Sequence, residues 1–157
     1  MPRKKKQLSF AEHVIKLYNS GLPFPRNKPP VGSVDELVSL EQRVQEIFGI
    51  INKKHNQLRM TFFVMYDIEN AKVRNQVAKY LIQKGCMRIQ KSIFLADLEH
   101  ETYNRIKDDL AAVQACYENE DSIIVCPIST DYLRALRIIG KNVDIDIVLK
   151  NKNTLFF

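Results

Sequence analysis

From Arg59 the chain enters a nearly unbroken apolar run, Met60-Thr-Phe-Phe-Val-Met-Tyr66, that stops at Asp67. A segment that does not alternate apolar with polar residues has no side to offer water, so it reads as a strand buried on both faces. Such a strand has to lie inside a sheet, with other parts of the chain or a partner covering it. The segments that follow fit this requirement.

Residues 71–84 place Val73, Val77, Leu81 and Ile82 at helical spacing, and Gly85 stands where a helix would end on a left-handed residue. Met87 to Leu95 alternates: Met87, Ile89, Ile93 and Leu95 share one face with Lys91 among them, and Arg88, Gln90, Ser92 and Phe94 share the other. A second helix is expected over about residues 99–117, with Tyr103, Ile106, Leu110, Val113 and Tyr117 on its stripe. Asp121 to Ile128 reads as another buried strand, residues 131–139 as a short helix, and Val143, Ile145, Ile147 and Leu149 as a last strand alternating with Asp144 and Asp146. The segment after Met87 is expected to bend near Leu95–Asp97 and return as a hairpin. The fold class is therefore α+β, a ferredoxin-like βαββαβ with an added C-terminal strand. Two helices cover one sheet face. The second, apolar face is expected to be a dimerisation surface, and the last strand is a candidate for pairing across the two-fold axis.

The N-terminal third differs. Residues 8–20 form an expected amphipathic helix with Leu8, Val14, Ile15 and Leu17, closed by Gly21. Residues 22–32 contain four prolines and read as an extended linker. Ser33 and Glu36 have capping-box spacing before a helix carrying Leu37, Leu40, Val44, Ile47 and Phe48. Two short helices bury little alone, so they must pack on the rest of the chain or on a partner. The expected division is a basic helical extension with its Pro-rich linker over residues 1–57 and a ferredoxin-like domain over 58–157.

Charge follows the same division. Of 24 Lys+Arg and 18 Asp+Glu in 157 residues, residues 1–57 hold 10 and 5, a net of +5. The remaining 14 and 13 give residues 58–157 a net of only +1. A basic balance suits polyanion partners, although a solvated tail would look the same. Cys86, Cys116 and Cys126 are odd in number and lack C-x-x-C spacing, so neither a disulfide framework nor a zinc site is suggested. No apolar run reaches membrane-spanning length, and the expected location is the cytoplasm. His13, His55 and His100 lack ligand spacing.

Four segments taken together carry a resemblance. They are Val64-Met-Tyr-Asp-Ile68, Lys72-Val-Arg-Asn-Gln-Val-Ala-Lys79, Gly85 followed by Arg88-Ile-Gln-Lys-Ser-Ile-Phe94, and Asp121-Ser-Ile-Ile-Val-Cys-Pro-Ile128. Over about residues 59–150 the chain resembles the CRISPR-associated endonuclease family, the small ferredoxin-like dimeric subunit that partners the CRISPR integrase in spacer acquisition. Residues 1–57 are an addition to the family pattern. Glu99 stands where the family often starts its second helix with Thr, which weakens a cap without touching chemistry.

Read locally, Asp67 or Asn70 caps the helix beginning near Ala71. The resemblance instead matches Asp67 to a catalytic, metal-binding carboxylate. Mg²⁺ or Mn²⁺ would then be shared by two Asp67 across a homodimer, because one carboxylate per chain is a poor site for a hard cation. Tyr66, Gln90, Ser92 and Phe94 become supporting residues, with a core role for Tyr66 and an ordinary strand role for Ser92 as alternatives. Arg74, Arg88 and Lys91 match basic positions that contact duplex DNA phosphates or, alternatively, form salt bridges. Lys4, Lys5 and Lys6 extend the nucleic-acid-binding set. The implied partners are a second copy, the integrase subunit and double-stranded DNA, with no membrane.

Two function classes compete. One is an adaptation subunit, a dimeric adaptor that bridges integrase dimers and holds spacer-precursor DNA. The other is a metal-dependent endonuclease, whose presence or absence the motif leaves open. A toxin-type nuclease of the virulence-associated D kind is a weaker alternative on the same fold.

Overall fold

The computed structural model describes residues 7–21, 37–53, 56–140 and 143–146. In chain order the elements are α1 (Phe10–Asn19), α2 (Leu40–Ile51), β1 (Arg59–Asp67), α3 (Ala71–Gln83), β2 (Met87–Gln90), β3 (Ile93–Glu99), α4 (His100–Ala115), β4 (Ser122–Pro127), α5 (Thr130–Arg134), β5 (Arg137–Gly140) and β6 (Val143–Asp146). The main sheet has four strands in the order β2-β3-β1-β4, and β5 pairs with β6 separately. Neighbouring strands of the main sheet are all antiparallel, with Val64 opposite Phe94 on one side and opposite Val125 on the other. This is the ferredoxin-like arrangement, with β1 central as its apolar run requires.

The two faces of β1 part company residue by residue. Phe62, Val64 and Tyr66 are buried on the side of α3 and α4, where they meet Val73, Val77, Leu81, Ile106, Leu110 and Val113. α1 lies against α3 and α4: Val14 joins the same core, Phe10 stacks on Tyr80 with ring centroids 4.1 Å apart, and Tyr18 meets Tyr117 at 5.1 Å. Ser9 caps α1 in a reciprocal box with Glu12.

Phe63 and Met65 point to the opposite face. There Val44, Ile47, Ile50 and Ile51 of α2 pack with Ile89, Leu95, Leu133 and Ile138, and Phe63 adds to the cluster. Burying a side chain such as Ile47 contributes about 1.5–3 kcal/mol. The two N-terminal helices therefore sit on opposite sides of the sheet, and both pack on the rest of the chain.

Several expectations change. Met87–Leu95 is two strands, with the chain reversing at Lys91–Ser92 rather than near Leu95–Asp97. A bulge between Arg88 and Gln90 accompanies the turn. α2 begins at Leu40 with Ser39 as its cap, so Leu37 precedes the helix; Ser33 and Glu36 lie outside the described residues. The short helix expected over 131–139 ends at Arg134, and β5 follows it. The last strand is described as Val143–Asp146, with Ile147 and Leu149 outside the described residues. Gly21 and Gly85 stand at their helix ends with φ of +63° and +90°. Glu99 precedes α4 without a side-chain capping bond.

Candidate functional site

On the face opposite α3 and α4, a cleft of about 820 Å³ opens between the end of β1, the β2–β3 turn and α2. Asp67, Gln90, Lys91, Ser92 and Ser122 supply its polar lining along with Arg43. Met65, Ile93, Ile124, Ile138, Leu37 and Leu40 supply the apolar part, and the edge of Tyr66 completes it.

Asp67 reaches the cleft by strand parity. It lies two residues beyond Met65 on the face away from the helices, and it pairs with Ser122 of β4. It does not cap α3. Asn70 does, accepting from Lys72 N at 3.0 Å and Val73 N at 3.2 Å. The Asp67 side chain is exposed, and no hydrogen bond or ion pair holds it among the described residues.

The backbone around it is braced. Arg74 Nη1 donates to the Ile68 carbonyl at 3.0 Å and to the Glu69 carbonyl at 3.2 Å. Glu69 N donates to Asp121 Oδ1 at 3.0 Å, and the Tyr117 hydroxyl donates to the other oxygen of that carboxylate. Burial first, and the Asp121 bond second, raise the Tyr117 pKa above its ordinary value, so the phenol stays a proton donor.

The turn is braced as well. The Lys91 carbonyl accepts from Arg88 Nε at 3.2 Å, from Arg88 Nη2 at 2.6 Å and from the Tyr66 hydroxyl at 3.5 Å. Tyr66 N donates to the Ser92 carbonyl at 3.1 Å. From the far side Arg43 Nη1 donates to the Ile89 carbonyl at 2.6 Å. The turn is thus fixed relative to both β1 and α2.

The structure brings Asp67, Tyr66, Gln90, Lys91 and Ser92 to one cleft. Arg88 and Phe94 are elsewhere. They pair on the helix side, where Phe94 is fully buried and the Arg88 guanidinium lies 5.7 Å from its ring. Arg88, Gln90 and Ser92 therefore do not share one strand face. The extra residue of the bulge leaves Ile89 and Gln90 both on the Ile93 side. Arg74 is at the loop behind Asp67, and Lys4, Lys5 and Lys6 lie outside the described residues. Arg43 and Ser122 are the residues that sequence reasoning missed. The pairing partner of Asp67 was the available signal for Ser122; Arg43 had none beyond being a cation on an amphipathic helix.

Among the described residues no group of three or more His, Cys, Asp and Glu converges, and Asp67 is the only carboxylate lining the cleft. A hard cation takes about six to eight oxygen ligands, so one chain's residues do not fit a resident metal.

Residues 60–135 match a family model described as CRISPR associated protein Cas2. The match runs from β1 past α5, and leaves α1, α2, β5 and β6 outside it. No curated protein matches the chain.

Proposed function

Because the chain belongs to the CRISPR associated Cas2 family through its residues 60–135, and so to CRISPR adaptation, we propose that it acts as a dimeric adaptor. In this reading it bridges integrase dimers and holds spacer-precursor duplex DNA. One observation carries it: the cleft pairs a single carboxylate with Lys91, Gln90, Ser92 and Ser122, a lining suited to holding phosphate and poor for holding metal. The +6 net charge of the chain favours the same partner. Lys4, Lys5, Lys6, Arg74 and Arg88 extend the proposed DNA-binding set. Mixing the purified chain with the integrase and a short duplex, with mass read by light scattering, tests this. One dimer of the chain joining two integrase dimers is expected; separate elution of the components contradicts it.

The release of Asp67 from capping favours a second reading, endonuclease activity in the dimer. Mg²⁺ or Mn²⁺ held between two Asp67 would polarise a phosphodiester and make a bound water acidic. The chain's own contribution is to hold Asp67 exposed at a braced strand end, with Ser92 lining the same cleft as a hydroxyl that could orient a water or a phosphate oxygen.

A further inference from the structure

We propose that the start of α2, in the N-terminal extension, forms one wall of the surface on which a second copy of this chain docks, with Leu37, Val38 and Leu40 as its contact residues. The inference rests on the dimer reading above. It goes beyond that reading because α2 lies outside the family-matched segment 60–135.

The second face of the sheet is divided. α2 and α5 cover its β2–β3 half, where Val44, Ile47 and Ile51 are each 3% exposed or less. What stays open is the strip formed by β1 and β4. These strands pair over six residues, Phe62–Asp67 against Ser122–Pro127. With about 3.4 Å of rise per residue and about 4.8 Å between strands, the strip has a footprint of roughly 200 Å². Phe63 already packs in the α2 cluster, which reduces the strip further. A stable interface takes roughly 800 Å² from each partner, so the strip alone is too small by about fourfold. A dimer built on this face needs the surface next to it.

That surface is the start of α2. Leu37 and Leu40 line the same cleft as Met65, Ile93 and Ile124, so the apolar surface continues from the sheet onto the helix. Ile124 is 55% exposed, and Val38, between the two leucines in sequence, is 46% exposed. A contiguous apolar surface open to water marks an interaction site. The helix is held by its buried residues and by the 2.6 Å bond from Arg43 Nη1 to the Ile89 carbonyl, so it is in place before a partner arrives.

The charges of the cleft select a second copy as that partner. Asp67, Lys91 and Arg43 are its charged lining among the described residues, so the patch carries both signs. A two-fold contact sets a patch against itself. A patch of one sign would repel its own copy, whereas one with both signs can turn its acid toward a base of the other copy. Asp67 is exposed and makes no ion pair among the described residues, so it is open to that contact.

The test is sedimentation equilibrium of the full-length chain over a dilution series, with Leu37→Glu, Val38→Glu and Ile124→Glu beside the wild type. A two-fold axis enters every change twice, so glutamate at position 37 or 38 is expected to raise the dimer dissociation constant about a hundredfold. Ile124→Glu, on the sheet strip, should weaken the dimer as well. Ile82→Glu alters an apolar residue on α3 that is 45% exposed, and should leave the dimer unchanged. Val38 is exposed in the single chain, so its variant keeps the fold even if Leu37→Glu does not. Wild-type dimerisation of Val38→Glu and of folded Leu37→Glu, with Ile124→Glu weakened, overturns the α2 wall and leaves the dimer reading standing. A wild type that stays monomeric at every concentration overturns the dimer reading, and the wall with it.

Discussion

On one face of the sheet Phe62, Val64, Tyr66 and Phe94 meet α3 and α4 in a continuous buried layer. On the other, α2 and α5 cover the β2–β3 half, while Met65, Asp67, Ser122 and Ile124 border an open cleft, with Ile124 55% exposed. The same strand supplies both faces, so the difference comes from what covers them. The helix-covered face is mostly apolar, and its phenols place their hydroxyls on acceptors, Tyr80 on Asp109 at 2.5 Å and Tyr66 on the Lys91 carbonyl at 3.5 Å. The cleft face carries the charged and hydroxylic groups. Both faces bury apolar clusters, and on the proposed reading recognition belongs to the open cleft, so substitutions there should cost less stability than those in either cluster.

The largest effect belongs to the covered face. Phe94→Ala removes a fully buried ring that stacks beside Tyr66 and carries the Arg88 guanidinium. Denaturant unfolding should show a loss of about 3–5 kcal/mol. A loss below about 1 kcal/mol would mean that the ring is not packed as described.

Ile47→Ala probes the extension's hold on the other face, since Ile47 is fully buried against the β2–β3 half. A loss of about 2–4 kcal/mol is expected. A near-neutral result would show α2 resting loosely on the sheet.

Alkaline pH acts through buried groups of the helix-covered side. Burial pushes the Cys86 thiol up to about 12, from 9.0 when unfolded. A raised folded pKa gives stability that is fully present below the unfolded value and is lost as pH rises toward the folded one. Tyr80, raised by burial and by Asp109, adds a loss of the same sign. At pH 10 the Cys86 contribution to that loss is roughly 1 kcal/mol, and Cys86→Ala should remove it from a pH series of denaturant melts.

The smallest effects compare two neighbours. Asn70→Ala should cost about 1 kcal/mol, because it removes the α3 cap. Asp67→Ala should stay within about 0.5 kcal/mol, because no described group depends on that carboxylate for structure. The reverse order would return Asp67 to a capping role.

The covered face was the more legible in sequence. The helical periods of α3 and α4 and the apolar run of β1 each name their buried residues, because burial on one side imposes a repeat. The β2–β3 turn was not legible. Lys91–Ser92 contains no Gly, Pro or Asn, and the bulge keeps Met87, Ile89, Ile93 and Leu95 on one face across the reversal, so the hairpin imitates a single alternating strand. β5 was hidden because Leu136, Ile138 and Ile139 suit a helix as well as a strand. In the site, Asp67 and the turn residues could be found because they are local to one motif. Arg43 and Ser122 arrive from distant segments through packing, which no local pattern encodes.

The most direct measurement assays wild type and Asp67→Ala side by side with Mg²⁺. Each is tested for cleavage of duplex DNA and single-stranded RNA, and, with the integrase added, for spacer integration. The adaptor account predicts that Asp67→Ala integrates at the wild-type level, whatever happens to cleavage. Integration lost together with cleavage would contradict it and make the carboxylate's chemistry the purpose of the cleft.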